Sequence, residues 1–285
     1  MTGGLRWAGL LLVPLFAFAL FVSYNLISAD PAATPTPTAE PLATDTAVPP
    51  TQPPPVVQAL APGTSIIIGG EVRLRGDPST ASAATGTLYD GAPVKVVGVV
   101  KGENWLVGSQ TWVSSTPSWA TDWLQLDDGS FVYSAFVFTL GPDETPPQAD
   151  TGGAEKWIDV NVSNQTVSAM VGDKAVHVAL ASTGSSDFPT PLGTHHIEPD
   201  GRVVLVDMTA SQAGYSPAQA QYDVKRVLFA QYFDRLGNAI HLNYWRPESV
   251  YGNTATSHGC VGVQLHDAQY LWLFGAAGMR VEIHE

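Results

Sequence analysis

Residues 240–261 read IHLNYWRPESVYGNTATSHGCV. Within them stands His241, then 15 residues, then Ser257-His258-Gly259-Cys260. Cys260 is the one cysteine among 285 residues, so no intramolecular disulfide can form. A lone cysteine is ordinarily a small apolar core residue, but these neighbours point elsewhere. A thiol attacks as thiolate, and with a free pKa of ~8.5 it needs a base or a cation nearby at neutral pH. His241 and His258 are the candidates. On a strand, His258 and Cys260 share a face because they lie two residues apart. His241 reaches the sulfur if two strands joined by the intervening loop lie side by side. Gly259 permits close backbone approach and unusual φ/ψ, which would aim the amides of Gly259 and Cys260 at a developing oxyanion. An imidazole base also needs an acceptor for its second nitrogen. No Asp or Glu directly follows His241, so a backbone carbonyl, of Leu242 or Asn243, has to serve.

Each piece has an ordinary alternative: a strand histidine in the core or on the surface, or a turn beside a buried thiol. The spacing argues against zinc, since neither Cys-x-x-Cys nor His-x-x-x-His occurs. His195 and His196 are adjacent, so on a strand they face opposite sides. No metal and no cofactor is expected.

Outward from this stretch the pattern is mainly β. Residues 157–183, WIDVNVSNQTVSAMVGDKAVHVALAST, alternate in Val and read as two or three strands with a hairpin at Gly172-Asp173. Further strands are expected at 194–198, 202–207, 226–233, 238–242 and 279–283. A helix is expected from Asp267, as its cap, to Phe274, stopped by Gly275 and Gly278.

Three segments now stand together: Thr183-Gly184 with Thr190-Pro191-Leu192-Gly193-Thr194, then Ile240-His241-Leu242, then Thr256-Ser257-His258-Gly259-Cys260-Val261. With the opening WIDVNVSNQTVSAMVGDKAV and the closing DAQYLWLFGAAGMRVEI, they resemble the L,D-transpeptidase catalytic domain, the YkuD-type fold. The resemblance covers residues 155–284. It implies that Cys260 is the acyl-accepting nucleophile and His241 the general base. It further implies that His258 shapes the site, Ser257 holds a supporting hydrogen bond, and Asn243, Tyr244, Arg246 and Gly262 meet substrate. The substrate so implied is a peptidoglycan stem tetrapeptide: a Cys260 thioester forms, D-alanine leaves, and an amine of a neighbouring stem closes a cross-link. Carbapenems and other β-lactams are the implied covalent inhibitors. One departure is Gly262, where the family usually has Arg or Asn; Arg246 or Gln264 is expected to compensate. Residues 208–225 are expected to form a lid. Two other functions remain open at this point: a hydrolase on the same scaffold, in which water resolves the thioester, and a non-catalytic wall-binding module.

Residues 63–142 carry a second β pattern. Its runs are SIII (65–68), EVRLR (71–75), APVKVVGVV (92–100), NWLVG (104–108), TDWLQL (121–126) and SFVYSAFV (130–137). Turn signals between them suggest a small barrel. Val72-Arg73-Leu74-Arg75-Gly76-Asp77-Pro78 and DGSFVYSAFV resemble the first and last strands of bacterial Src-homology-3-like domains. Trp105, Trp112, Trp119 and Trp123 are either core or the lining of a groove for glycan or peptide. Residues 143–154 read as a joint.

Ahead of this lies DPAATPTPTAEPLATDTAVPPTQPPPVVQALAP (30–62), a Pro/Thr-rich spacer with no apolar period. Trp7 to Ala29 contains no charge over 23 residues, and about 20 helical residues cross a bilayer core. A membrane anchor over 1–29 is favoured over a cleaved signal peptide, because the apolar run is long and the cleavage site poorly formed. Arg6 before it places the rest of the chain outside the cytoplasm. The formal net charge of −13 argues against nucleic acid and against adhesion to anionic lipid.

Overall fold

The computed structural model describes residues 60–107 and 113–285. The expected anchor, nearly all of the spacer, and Trp112 lie outside the described residues. Among the described residues, no helix is long and apolar enough to cross a membrane.

Eight short strands make the first region: β1 Ser65–Ile67, β2 Glu71–Arg75, β3 Ala84–Tyr89, β4 Pro93–Val94, β5 Val96–Lys101, β6 Asp122–Leu126, β7 Phe131–Tyr133 and β8 Val137–Thr139. They pair as a three-stranded sheet in the order β4-β1-β8 and a five-stranded sheet in the order β3-β2-β7-β6-β5. Successive side chains of a strand face opposite ways. Accordingly Ile67 packs with Val72, Leu74, Leu126, Val132 and Val137, while Ile66 and Ile68 join the larger core shared with the rest of the protein. Three expectations change here. The described part of NWLVG is a turn, with Leu106 buried. SFVYSAFV is two strands broken by a 3-10 turn over Ser134–Phe136. Strand β3, ATGTLY, went unread because it is nearly all exposed and shows no apolar alternation.

The second region is one nine-stranded sheet: β9 Lys156–Asn161, β10 Thr166–Val171, β11 Lys174–Ser182, β12 Gly193–His196, β13 Arg202–Thr209, β14 Asp223–Tyr232, β15 Ala239–Leu242, β16 Val261–Val263 and β17 Arg280–His284. Their order is β12-β17-β9-β10-β11-β16-β15-β14-β13. The opening run forms three strands, and Gly172, at φ +54°, begins the two-residue β10–β11 turn. At the centre β15 and β16 run parallel, with Ile240, His241 and Leu242 opposite Val261, Gly262 and Val263. Every residue of these two strands is buried, as parallel strands covered on both faces must be. Each buried aliphatic side chain there contributes roughly 1.5–3 kcal/mol. The pair is therefore a rigid platform for what projects from its ends.

One helix, α1 Leu265–Phe274, follows β16. It starts two residues before the expected cap. Gln264 takes the cap position, and the Asp267 carboxylate instead meets Nε2 of His177 at 2.9 Å. The helix also ties the two regions together. Gln269 Nε2 donates to the carbonyls of Ala135 (2.9 Å) and Val137 (3.1 Å), and Tyr270 donates to the carbonyl of Thr145 at 2.7 Å.

Candidate active site

Cys260 does not lie on a strand, so the expected face-sharing with His258 does not arise. It closes a bend that ends as β16 begins at Val261. The bend is held from inside by Ser257, whose Oγ accepts from the Gly259 amide (3.1 Å) and donates to the Cys260 carbonyl (2.6 Å). The Gly259 amide is thereby engaged, so it does not serve as the oxyanion donor expected from the sequence. The bend is held from outside by the Thr183-Gly184 segment. The amides of Thr256 and Ser257 both donate to the Thr183 carbonyl at 3.0 Å, and the Ser185 amide donates to the Ser257 carbonyl at 3.0 Å. Gly184 in turn donates to Thr190 Oγ1 at 2.8 Å. A Cβ on Gly184 would stand 2.2 Å from the Phe188 carbonyl oxygen, so the Phe188-Pro189-Thr190 backbone folds directly onto it. Gln165 completes the support: it donates from Nε2 to Thr183 Oγ1 at 2.5 Å and accepts the Thr183 amide at Oε1 at 2.8 Å.

Gly259 has φ +116°, in the region that favours glycine. A Cβ there would meet Asn238 Oδ1 at 2.2 Å. Asn238 is fixed by Asp234, whose carboxylate accepts from the Asn238 amide (3.0 Å), Asn238 Nδ2 (2.6 Å) and the Leu236 amide (2.9 Å). The thiol points at the carbonyl of Gly237 in the same loop, at 3.8 Å. Asp234, Gly237 and Asn238 were not singled out in the sequence. The turn signal Asp-x-x-Gly-Asn was present, but nothing local says that it backs onto a bend more than 20 residues away.

His241 is 3% exposed. Its Nδ1 meets the Leu242 carbonyl at 2.9 Å, one of the two acceptors expected. A carbonyl only accepts, so Nδ1 carries the proton and Nε2 is left with its lone pair. Trp245 stacks on the ring at 5.5 Å between centroids, 18° from parallel. Burial pushes the imidazole pKa down to about 4, against the opposing pull of the Leu242 carbonyl. Burial likewise pushes the Cys260 thiol up to about 11, while the Ala239 amide favours the thiolate and the Asp234 charge disfavours it. The resting pair is therefore a neutral thiol and a neutral imidazole. Burial, then the Arg246 charge, also lowers the pKa of His258.

His241, Asn243, Arg246, Ser257, His258 and Cys260 line one cavity of about 300 Å³. Its far wall comes from residues 206–224, including Met208, Gln212 and Tyr222. The expected lid of 208–225 is thus partly strand: its ends belong to β13 and β14, and the turns between them arch over His258. The His258 ring lies 4.8 Å from that of Tyr222, 6.0 Å from that of Tyr215 and 4.5 Å from that of Phe188.

Tyr244 and Gly262 do not line the cavity. Tyr244 is buried, with its hydroxyl donating to the Lys225 carbonyl. Gly262 lies beneath Asn243, whose Nδ2 would be 2.6 Å from a Cβ at 262. Gln264 caps α1 and is likewise absent from the cavity wall. Arg246 does line it, with its guanidinium 3.4 Å from the Thr256 carbonyl.

An imidazole whose Nε2 keeps its lone pair and a thiol, lining one cavity with His241 on β15 and Cys260 just ahead of β16, can together carry out acyl transfer. Residues 155–283 match the family model of YkuD, the L,D-transpeptidase catalytic domain. The matched stretch runs from β9 into β17 and includes α1. None of the curated proteins matches the chain. Among solved structures it is similar to an L,D-transpeptidase from Mycobacterium smegmatis, at 19% identity over 57% of this chain and 66% of that one, with a TM-score of 0.42. It is similar to L,D-transpeptidase 3 from Mycobacterium tuberculosis in complex with a faropenem-derived adduct, at 19% identity over 55% and 73%, with a TM-score of 0.41. It is also similar to the catalytic domain of the Enterococcus faecium L,D-transpeptidase, at 21% identity over 46% and 97%, with a TM-score of 0.38.

Proposed function

We propose that this protein is a peptidoglycan L,D-transpeptidase with Cys260 as nucleophile and His241 as general base. The observation that carries the reading is the cavity shared by Cys260 and His241, with the imidazole tautomer set by Leu242. His241 Nε2 takes the Sγ proton as sulfur attacks the carbonyl carbon that precedes the terminal D-alanine of a stem tetrapeptide. The C–S bond forms and the C–N bond breaks; the departing D-alanine nitrogen takes the proton from the imidazolium. An amine of a second stem then attacks the thioester, forming a C–N bond and returning the thiol. Proton removal by a positioned base typically contributes 10²–10⁴-fold. The neutral resting thiol fits transfer at the moment of attack, not a standing ion pair. β-Lactams of the carbapenem class would acylate the same sulfur.

We place this chemistry outside the cytoplasm, on an anchor over residues 1–29 and a spacer to 62, with residues 63–142 as a bacterial Src-homology-3-like module. The test is the intact mass of the purified full-length chain after incubation with a stem tetrapeptide. Expected are an adduct on Cys260 with loss of D-alanine, and cross-linked dimers among the products. Trimmed monomers alone would assign a hydrolase, and no adduct on the folded protein would end the reading.

A further inference from the structure

The carboxamide of Asn243 is an unexplained polar group inside the site. Asn243 is 4% exposed, and its Oδ1 is buried without a hydrogen-bond partner. Leaving such an acceptor unmet is unfavourable, because it has lost water and gained no donor in its place. Its backbone is clamped on both sides. The amide donates to the Val263 carbonyl at 2.9 Å, and the carbonyl accepts the Tyr251 hydroxyl. Its side chain fills the space above Gly262, where a Cβ would lie 2.6 Å from Nδ2 and 2.8 Å from the Asn243 Cβ. The glycine at 262 is therefore the vacancy that lets the carboxamide lie there, and Asn243 lines the cavity beside His241 and Cys260. Residues two apart along an extended chain face the same way. The carboxamide thus follows the imidazole on the base side of the thiol.

We propose that Asn243 Oδ1 receives the attacking primary amine in the second half of the reaction. This rests on the thioester reading above and names the partner of that step. The amine enters as the neutral base. One N–H donates to Oδ1, a second proton passes to His241 Nε2 as nitrogen attacks the thioester carbon, the C–S bond breaks, and the sulfur regains a proton from the imidazolium. Thioester and amine become amide and thiol, with nothing left over. An acceptor on the base side serves this step more than the first, because the scissile nitrogen of the acyl donor is already held by its own acyl chain, whereas the incoming amine is free until something holds it.

The test uses the full chain and two variants. Asn243→Leu keeps the branched shape over Gly262 and removes the acceptor. The pair Asn243→Gly with Gly262→Asn returns a carboxamide from the opposite strand. Acylation by a stem tetrapeptide is followed by intact mass, and transfer is followed with Nα-acetyl-lysine as the probe amine. Expected for Asn243→Leu is an amine-dependent rate about 10-fold lower beyond any fall in acylation, in keeping with one lost hydrogen bond. Its melting temperature should not drop, since an unmet polar atom has been removed. The exchanged pair should recover amine transfer relative to Asn243→Leu. Equal losses in acylation and transfer, or an unchanged amine dependence, overturn the proposal. If Asn243→Leu fails to fold, the exchanged pair decides alone: folded protein that acylates but does not transfer to the amine overturns it. A wild-type chain that never forms the thioester overturns the parent reading as well. A wild type and an Asn243→Leu variant that transfer alike overturn this inference only.

Discussion

Asn238 occupies the space a side chain at Gly259 would need: a Cβ there would stand 2.2 Å from Oδ1. The backbone at Gly259 is also at φ +116°, which an L side chain rarely adopts. Gly259→Ala should therefore cost about 2–4 kcal/mol through strain and collision together. It should also slow acylation, since the displaced bend carries the thiol. Thermal melting and adduct formation measured on one preparation check both; a variant that melts like wild type would mean that Asn238 moves aside freely.

In the proposed mechanism the Cys260 sulfur is the atom that bonds the acyl group. Cys260→Ala should give no covalent adduct with a stem tetrapeptide or a carbapenem, while keeping its fold. His241→Gln keeps a polar side chain in the buried position and loses the base. Its acylation rate should fall by about 10²–10⁴-fold. Product from Cys260→Ala at a rate near that of wild type would remove the sulfur from the mechanism.

The pH dependence follows from burial. The imidazole of His241 holds its folded pKa at about 4, below the 6.5 of an unfolded histidine. Above 6.5 its contribution to stability is fully present. As pH falls below 6.5 the unfolded chain takes up the proton first, and stability drops until about pH 4. The loss is on the order of 3 kcal/mol. The Cys260 thiol is the mirror case, at about 11 folded against 9 unfolded. Its contribution is complete below pH 9 and is lost between 9 and 11. Melting temperatures of wild type, His241→Gln and Cys260→Ala across pH 4–11 should show the acid loss shrink in the first variant and the alkaline loss shrink in the second. Alkylation by iodoacetamide should keep rising above pH 9; a plateau starting near pH 5 would reveal a standing thiolate instead.

Asp234 supports the loop beside Cys260 without lining the cavity. Its three hydrogen bonds, to the Leu236 amide and to both the amide and Nδ2 of Asn238, end on one carboxylate. Asp234→Ala should lower stability by about 1–3 kcal/mol and slow acylation as the Gly237 carbonyl and Asn238 lose their places. Asp234→Asn keeps one acceptor oxygen and should lie between. An Asp234→Ala variant with wild-type melting and acylation would show that the turn closes without it.

The β character of the second region could be read from Val alternation and from the Gly172-Asp173 turn, because strand pattern and turn chemistry are local. Helix α1 could be read too, but its start could not. Asp267 looks like a cap until His177, from β11, takes its carboxylate. NWLVG reads as a strand by composition but is a turn where described, its Leu106 drawn into the core. β3 leaves no sign in the sequence, because an exposed strand needs no apolar alternation.

For the site, the sequence alone determined which reactive groups are the candidates. A single thiol, a Gly before it, a Ser to brace the bend and a histidine upstream are legible because their chemistry belongs to the residues themselves. Tertiary structure alone decided how they are placed. The parallel pairing of β15 with β16 sets His241 opposite Gly262. It also lays Asn243 over that glycine and, with the Asp234 loop behind Gly259, buries the imidazole and half-buries Cys260, which favours the neutral form of each. Those outcomes depend on segments brought together across the sheet and on the loss of water around them, and neither is written in any one stretch of the chain.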